Sequence, residues 1–307
     1  MSRFSTVARA ASKAVKGAAK EMVKVEATPA LRLGMTRALV GGFTFHYLYK
    51  RRRMFARVSR TDPELFRPVG PCRVLPKPVP PKVADTLNDA TLVTTALFTL
   101  GSGHRLVGPL HSALLTWTLS YRNSWSMIFH SDNTLVMHTI ALGASRSADA
   151  LSLDSLVTRE TPAPHPRYGW PLKLMHASST VAYAIAGVAK VAGPSGWGWA
   201  RGDGMRRQVA VDGLRKEVLG SKATSTGYKL YRYRSLFTGM AVGSLVLELL
   251  APLALANRRL GKLWVLATYG LHWGIRVIMG IKFRYQLSGV SFAAWFDLER
   301  LVRPFRR

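Results

Sequence analysis

Cysteine is almost absent from this chain. The single Cys72 excludes an intramolecular disulfide and any metal site built from several thiolates, and it leaves the redox compartment open. Acidic residues are the second shortage: 16 Asp and Glu stand against 44 Lys and Arg, a net charge of +28. Such a balance asks for anionic partners, whether lipid headgroups, acidic subunits or nucleic acid. The basic residues fall mostly between apolar segments and not in a domain of their own, so nucleic acid is not expected among the partners. A phosphate-binding P-loop, a Gly-rich dinucleotide motif after a strand and a legible Ser-His-Asp arrangement are also missing. Motifs alone therefore name no reaction.

What is present is apolar. Apolar residues make up 48% of the 307, eight of them Trp, and several apolar runs have the length of a bilayer. The pattern predicts an all-α, polytopic helical integral membrane protein with about six or seven transmembrane helices. The expected spans are 31–49, 83–101, 106–121, 133–145, 172–192, 236–256 and 263–281, the third and fourth being short enough to form a hairpin that does not cross. The domain reading is a basic amphipathic helix at 1–29, a first transmembrane helix at 30–52, a Pro-rich extended connection at 53–82, a helical membrane domain at 83–296 and a basic tail at 297–307. The connection is expected to lie against a surface, since its prolines forbid a regular helix.

The N-terminal segment is cleanly amphipathic. Phe4, Val7, Ala11, Val15, Ala18 and Met22 recur at helical spacing, and Arg9, Lys13, Lys16, Lys20 and Lys24 do so on the opposite side. Three readings stay open: an interfacial helix on anionic lipid, a targeting segment of mitochondrial type that is retained, and a solvated basic arm. Arg51, Arg52 and Arg53 follow Tyr47 and Tyr49, an aromatic-then-basic order typical of a membrane boundary, and join the candidate lipid- or partner-binding residues.

The stretch 183–204 draws the most attention. Lys190 stands near the end of an apolar run that breaks into a Gly, Pro and Trp loop ending in Arg-Gly-Asp-Gly. It either snorkels, as terminal lysines commonly do, or is held in a polar cavity for a purpose. Glu248 lies within a later apolar run, and His272 and Arg276 share one face of the last; an inward Glu248–Arg276 pair would satisfy both charges. His130 and His138 flank Asp132 without a matching carboxylate cluster, so no metal site is assigned.

Several short signatures, taken in order, resemble the membrane domain of the vitamin K-dependent gamma-carboxylases and their bacterial relatives, the horizontally transferred transmembrane (HTTM) family. They are Asn123 and Asp132, Leu151-Ser152-Leu153-Asp154, Tyr183 with Gly187 and Lys190, Trp199 with Gly202, Glu248 with Pro252, and His272 with Met279-Gly280-Ile281. The segment AGVAK is also similar to the smaller DoxX-like membrane proteins. The resemblance implies Lys190 as a base on a reduced quinone, with His272 or Glu248 as helper. A lysine serves as a base at neutral pH only if desolvated or placed beside another cation, so the implied chemistry needs Lys190 away from Glu248. Within these 307 residues no long soluble region is expected after the membrane domain, so carboxylation of glutamate in a polypeptide is not expected.

Two functional expectations result. One is an accessory or structural subunit of a larger inner-membrane complex of respiratory-chain or ATP-synthase type, with protein partners and anionic lipids held by the basic segments. The other is a carboxylase-like membrane enzyme acting on a quinone or lipid. Quinone or bound phospholipid are the cofactors either would admit, and the expected location is a mitochondrial inner membrane or, alternatively, a bacterial cytoplasmic membrane.

Overall fold

The computed structural model describes residues 13, 16, 17, 19–159, 162–220 and 225–302. It divides into two compact units: Val25–Met175 with Val290–Arg307, termed the first unit, and Met1–Lys24 with His176–Gly289, termed the second.

The first unit contains α1 (Ala30–Val58), α2 (Pro81–Leu100), α3 (His104–Asn123), α4 (His130–Gly143), α5 (Leu153–Thr158) and the part of α6 (Pro166–Ala192) that runs to Met175. Helix α1 packs along α2, α2 along α3 and α3 along α4, and α1 also reaches α4. Prolines open these helices: Pro29 precedes α1 in extended backbone and Pro81 is the first residue of α2, where a missing N–H costs nothing. Gly101, at φ 65°, closes α2 in the left-handed conformation that glycine adopts most easily. Leu33, Val40, Phe98, Leu115, Leu135 and Leu142 fill the interior. Removing the Phe98 ring would cost about 3–5 kcal/mol.

The Pro-rich connection packs on its own unit. Two 3-10 turns, Pro63–Leu65 and Gly70–Val74, carry Phe66 and Cys72 into a cluster with Ala84 and Tyr121. The Arg67 N–H donates to Ser124 O at 2.7 Å, fixing the segment by its backbone where prolines prevent a helix. The end of the chain returns as well: Arg32 of α1 pairs with Asp297 and Glu299, each at 2.6 Å.

The second unit holds the rest of α6, a 3-10 turn Gly196–Arg201, α7 (Asp203–Val218), α8 (Ser225–Tyr231), α9 (Arg234–Leu249), a 3-10 turn Ala251–Leu255, α10 (Arg258–Met279) and α11 (Arg284–Leu287). Of the N-terminal segment, residues 19–23 are helical, and Lys13, Lys16, Lys20 and Lys24 are exposed. Arg9 lies outside the described residues.

The all-α expectation agrees with this architecture; among the described residues the only extended pairing is an isolated bridge between Thr28 and His165. The membrane expectation is overturned, because no described helix is long and apolar enough to cross a membrane. That corrects the first transmembrane helix at 30–52, the six or seven spans, and the integral placement in a mitochondrial inner or bacterial cytoplasmic membrane. Helices form near each expected span, and six of the seven fail for a visible reason. With 14 and 16 residues, α4 and α9 fall short of the roughly 20 a bilayer requires. Helix α1 carries Arg32, Arg37 and the run Lys50–Arg53, and α10 carries Arg258, Arg259, Lys262, His272 and Arg276. In α6 the apolar run is interrupted by Lys173, His176, Ser178, Ser179, Thr180 and Lys190. Helix α2 begins with Lys82, Asp85 and Asp89 and continues through threonines, such as Thr95 and Thr99, whose hydroxyls bond back to their own helix.

Candidate functional site

The second unit brings the sequence-predicted trio into one neighbourhood. Both oxygens of Glu248 accept from the Lys190 ammonium, the Oε2 contact at 2.6 Å, and the same ammonium lies 4.6 Å from the centre of the Trp199 ring. His272 joins through Tyr183. The Thr268 carbonyl can only accept, so His272 Nδ1, at 2.8 Å, carries the proton, and Nε2 accepts from the Tyr183 hydroxyl at 3.2 Å. Burial pushes the His272 imidazole below its ordinary range, which keeps the ring neutral as this pattern requires. Burial, and then the nearby Glu248 charge, push the Tyr183 phenol upward, so it stays a donor.

Local sequence explains the placement. Gly187 permits α6 to lie close to α9, since a Cβ there would sit 3.0 Å from Glu248 Cβ and 3.1 Å from Leu249 N. Gly202, at φ 77°, turns the Trp-rich loop where any side chain would overlap the Phe237 backbone. The loop is then bolted to α9: Thr238 Oγ1 donates to Arg201 O at 2.8 Å, and Arg234 pairs with Asp203 at 3.0 Å. Trp264 packs edge-on against Tyr183 at 5.2 Å while its indole N–H donates to Leu247 O at 3.1 Å. The GWGWARGDG loop is thus the part that sets Trp199 against Lys190.

Glu248 does not pair with Arg276, whose guanidinium lies 5.7 Å from the Trp273 ring. The implied chemistry needed Lys190 away from Glu248, and the geometry puts them in contact. A lysine whose ammonium is gripped by a carboxylate and covered by an indole has its donors occupied and its charge compensated. Nor does Lys190 snorkel free, its side chain being only 26% exposed.

The first unit holds two ionic networks that sequence reasoning saw only in part. Asp132 is buried and accepts from Tyr47 at 3.0 Å and from Arg122, which also donates to Asn123 Oδ1 at 2.8 Å and covers the Phe129 ring at 4.3 Å. Asp132 is therefore committed to Arg122 and Tyr47. His130 is exposed, and His138 is buried with Nε2 3.3 Å from Met175 O. Arg122 gave no signal of its own, because an arginine beside a tyrosine at a helix end reads as a boundary residue. Arg51 lies over Tyr47 at 4.3 Å and Arg52 over Tyr49 at 4.2 Å, each stacked on the ring one turn earlier, while Arg53 is exposed.

The second network is centred on Arg37, fully buried on α1. It donates to Leu151 O, and its Nε and Nη1 have no hydrogen-bond partner among the described residues. Burial lowers its pKa to about 10, against the opposing pull of Asp154, so it remains charged at neutral pH. Gly101 is a requirement of that burial, as a Cβ there would overlap the guanidinium. Leu151, at φ 50°, takes the left-handed backbone costly to a branched side chain and presents its carbonyl to Arg37. Ser152 caps α5, and Asp154 receives the Gly103 and His104 N–H groups at 2.8 and 2.9 Å. The Leu151–Asp154 signature is thereby a structural clasp for Arg37 and for the start of α3.

Comparison with protein-family models, curated proteins and solved structures finds no match. The resemblance to the HTTM and gamma-carboxylase proteins rests on the short signatures alone.

Proposed function

We propose that this chain is a non-catalytic subunit of a larger protein assembly, docked through apolar helix faces and held by its excess positive charge. The observation that carries the reading is a set of exposed apolar stripes at helical spacing. Val93, Leu97 and Leu100 form one on α2; Val181, Ile185 and Val188 form one on α6; Leu260, Leu263, Leu266, Trp273 and Val277 form one on α10. Stripes of this kind cost free energy in water and mark surfaces that another body covers. A charge of +28 steers acidic partners toward the chain and selects against basic ones. Against the enzymatic alternative stands the Lys190–Glu248 pair, which occupies the one lysine that chemistry on a quinone or lipid would need as base.

The test is gentle lysis of cells carrying the chain at its natural level, a native gel, and mass spectrometry of each band. Co-migration with a larger, stoichiometric assembly is expected, and replacing Arg9, Lys13, Lys16 and Lys20 by Gln should loosen it while Lys190→Met leaves it in place. Migration as a lone particle of the chain's own 33.9 kDa would overturn the reading.

A further inference from the structure

A cavity of about 780 Å³ opens in the first unit where α3 begins, walled by the turn after α4, by α5 and by the start of α6. Arg105, Arg146 and Arg167 line it, together with Asp149, Asp154 and His104. The volume suits a small organic ligand, such sites usually measuring roughly 300–1,000 Å³.

The charges do not cancel. Asp154 is spent: its oxygens take the two N–H groups that open α3, and its charge is offset by the buried Arg37. Asp149 is left to balance three arginines, and it does so loosely, at 4.0 Å from Arg146 and 3.9 Å from Arg167, while its Oδ2 accepts from Tyr168 at 2.9 Å. Arg105 has no hydrogen-bond or ion-pair partner among the described residues, and the Arg146 guanidinium makes no hydrogen bond among them. His104 adds no charge, since burial and Arg37 push it down, and its Nε2 is engaged by Leu142 O and Ser147 Oγ. Among the described residues, three guanidiniums against one free carboxylate leave two positive charges and a set of unspent forked donors facing one cavity.

We propose that this cavity is a binding site for a phosphate monoester, whose dianionic head matches the two uncompensated charges and whose oxygens accept from Arg105 and Arg146. Guanidinium forks are the side chains best shaped for such a group. The ester could come from a soluble metabolite or from a lipid headgroup such as phosphatidic acid; the recognising chemistry is the same.

The experiment is calorimetric titration of the purified full chain with ribose 5-phosphate, alongside flotation with phosphatidylcholine vesicles with and without phosphatidic acid. The result expected is saturable, one-to-one binding to at least one of these. The double variant Arg105→Gln/Arg146→Gln should weaken it about tenfold or more, and Arg105→Lys/Arg146→Lys should recover part of the loss. Arg258→Gln/Arg259→Gln, which removes the same charge from α10, is the control and should bind as the parent does. Binding to ribose 5-phosphate identifies a soluble source, and binding only to the phosphatidic acid vesicles a lipid one. The proposal is overturned if neither probe binds, or if the α10 control loses as much affinity as the cavity variant, for then the overall charge alone is responsible.

Discussion

The two units each bury an ion pair, and they do so differently. In the first, Arg122 and Asp132 are shut in, with side chains 9% and 4% exposed; in the second, Glu248 is 8% exposed but its partner Lys190 is 26%. The closed pair is a hydrogen-bonded network that Tyr47 and Asn123 extend, although Arg122 Nε is buried without a hydrogen-bond partner among the described residues, and burial raises the Asp132 carboxyl's pKa against the pull of Arg122. The half-open pair relies on the two partners and the face of an indole. Desolvating two charges costs several kcal/mol per ion, regained only through good geometry and further hydrogen bonds. The comparison teaches that the first unit has committed its pair to architecture, while the second keeps one member within reach of water.

Substitutions can break that contrast. The largest effect is expected from Asp132→Asn, which leaves Arg122 buried without its counter-charge and should cost about 3–5 kcal/mol in urea unfolding. A loss below 1 kcal/mol would mean that solvent reaches this network after all. Glu248→Gln should cost less, about 2 kcal/mol, because the exposed edge of Lys190 recovers some hydration. The apolar double variant Lys190→Met/Glu248→Leu should regain most of it, and a double-mutant cycle would measure the coupling directly. A structural role of this kind also requires that the double variant keep its place in the proposed assembly.

Acid sharpens the comparison through a third buried group. His111 in the first unit is fully enclosed, its ring 4.7 Å from Phe98, and burial lowers its pKa from 6.5 to about 3. The unfolded chain therefore binds the proton that the folded chain refuses. Its stabilising contribution is complete above pH 6.5 and is lost as the pH falls toward about 3, at about 1.4 kcal/mol per pH unit for this group. Between pH 6.5 and about 5, before carboxylates titrate, His111→Asn should flatten the pH dependence of the unfolding midpoint. An unchanged slope would locate the titration elsewhere. The smallest effect is expected at the exposed Arg234–Asp203 pair: Arg234→Gln should change stability by about 0–1 kcal/mol, and less in high salt.

Helices were legible wherever apolar residues recurred at helical spacing, so each expected span has a helix near it. What the pattern could not fix was the environment those helices face. A run such as 236–256 scores as continuous, yet the helix ends at Leu249 and a 3-10 turn with Pro252 follows. Ionisable residues in apolar runs demand partners, which singles out Lys190, Glu248 and His272, but the partner expected for Glu248 is Arg276 and the one it has is Lys190. Distance along separate helices is not encoded in either one, and Gly187, which sets the approach of α6 to α9, becomes informative only once both are in place. The burial of Arg37 is illegible for the same reason: it depends on Gly101 and Leu151, remote in sequence. The cavity arginines Arg105, Arg146 and Arg167 are scattered along three elements and formed no pattern at all.

The return of the chain end to Arg32 has a consequence for the order of synthesis. On a ribosome, Arg32 emerges early, whereas Asp297 and Glu299 appear only after all of residues 176–289 have been made. Domains fold as units while the chain lengthens. The later-made helices of residues 176–289 can therefore form first, while the first unit waits with an uncompensated arginine and an uncovered helix for its last segment. Within this chain, the unit built on residues 25–175 is mostly made before residues 176–289 and yet is the one that finishes last.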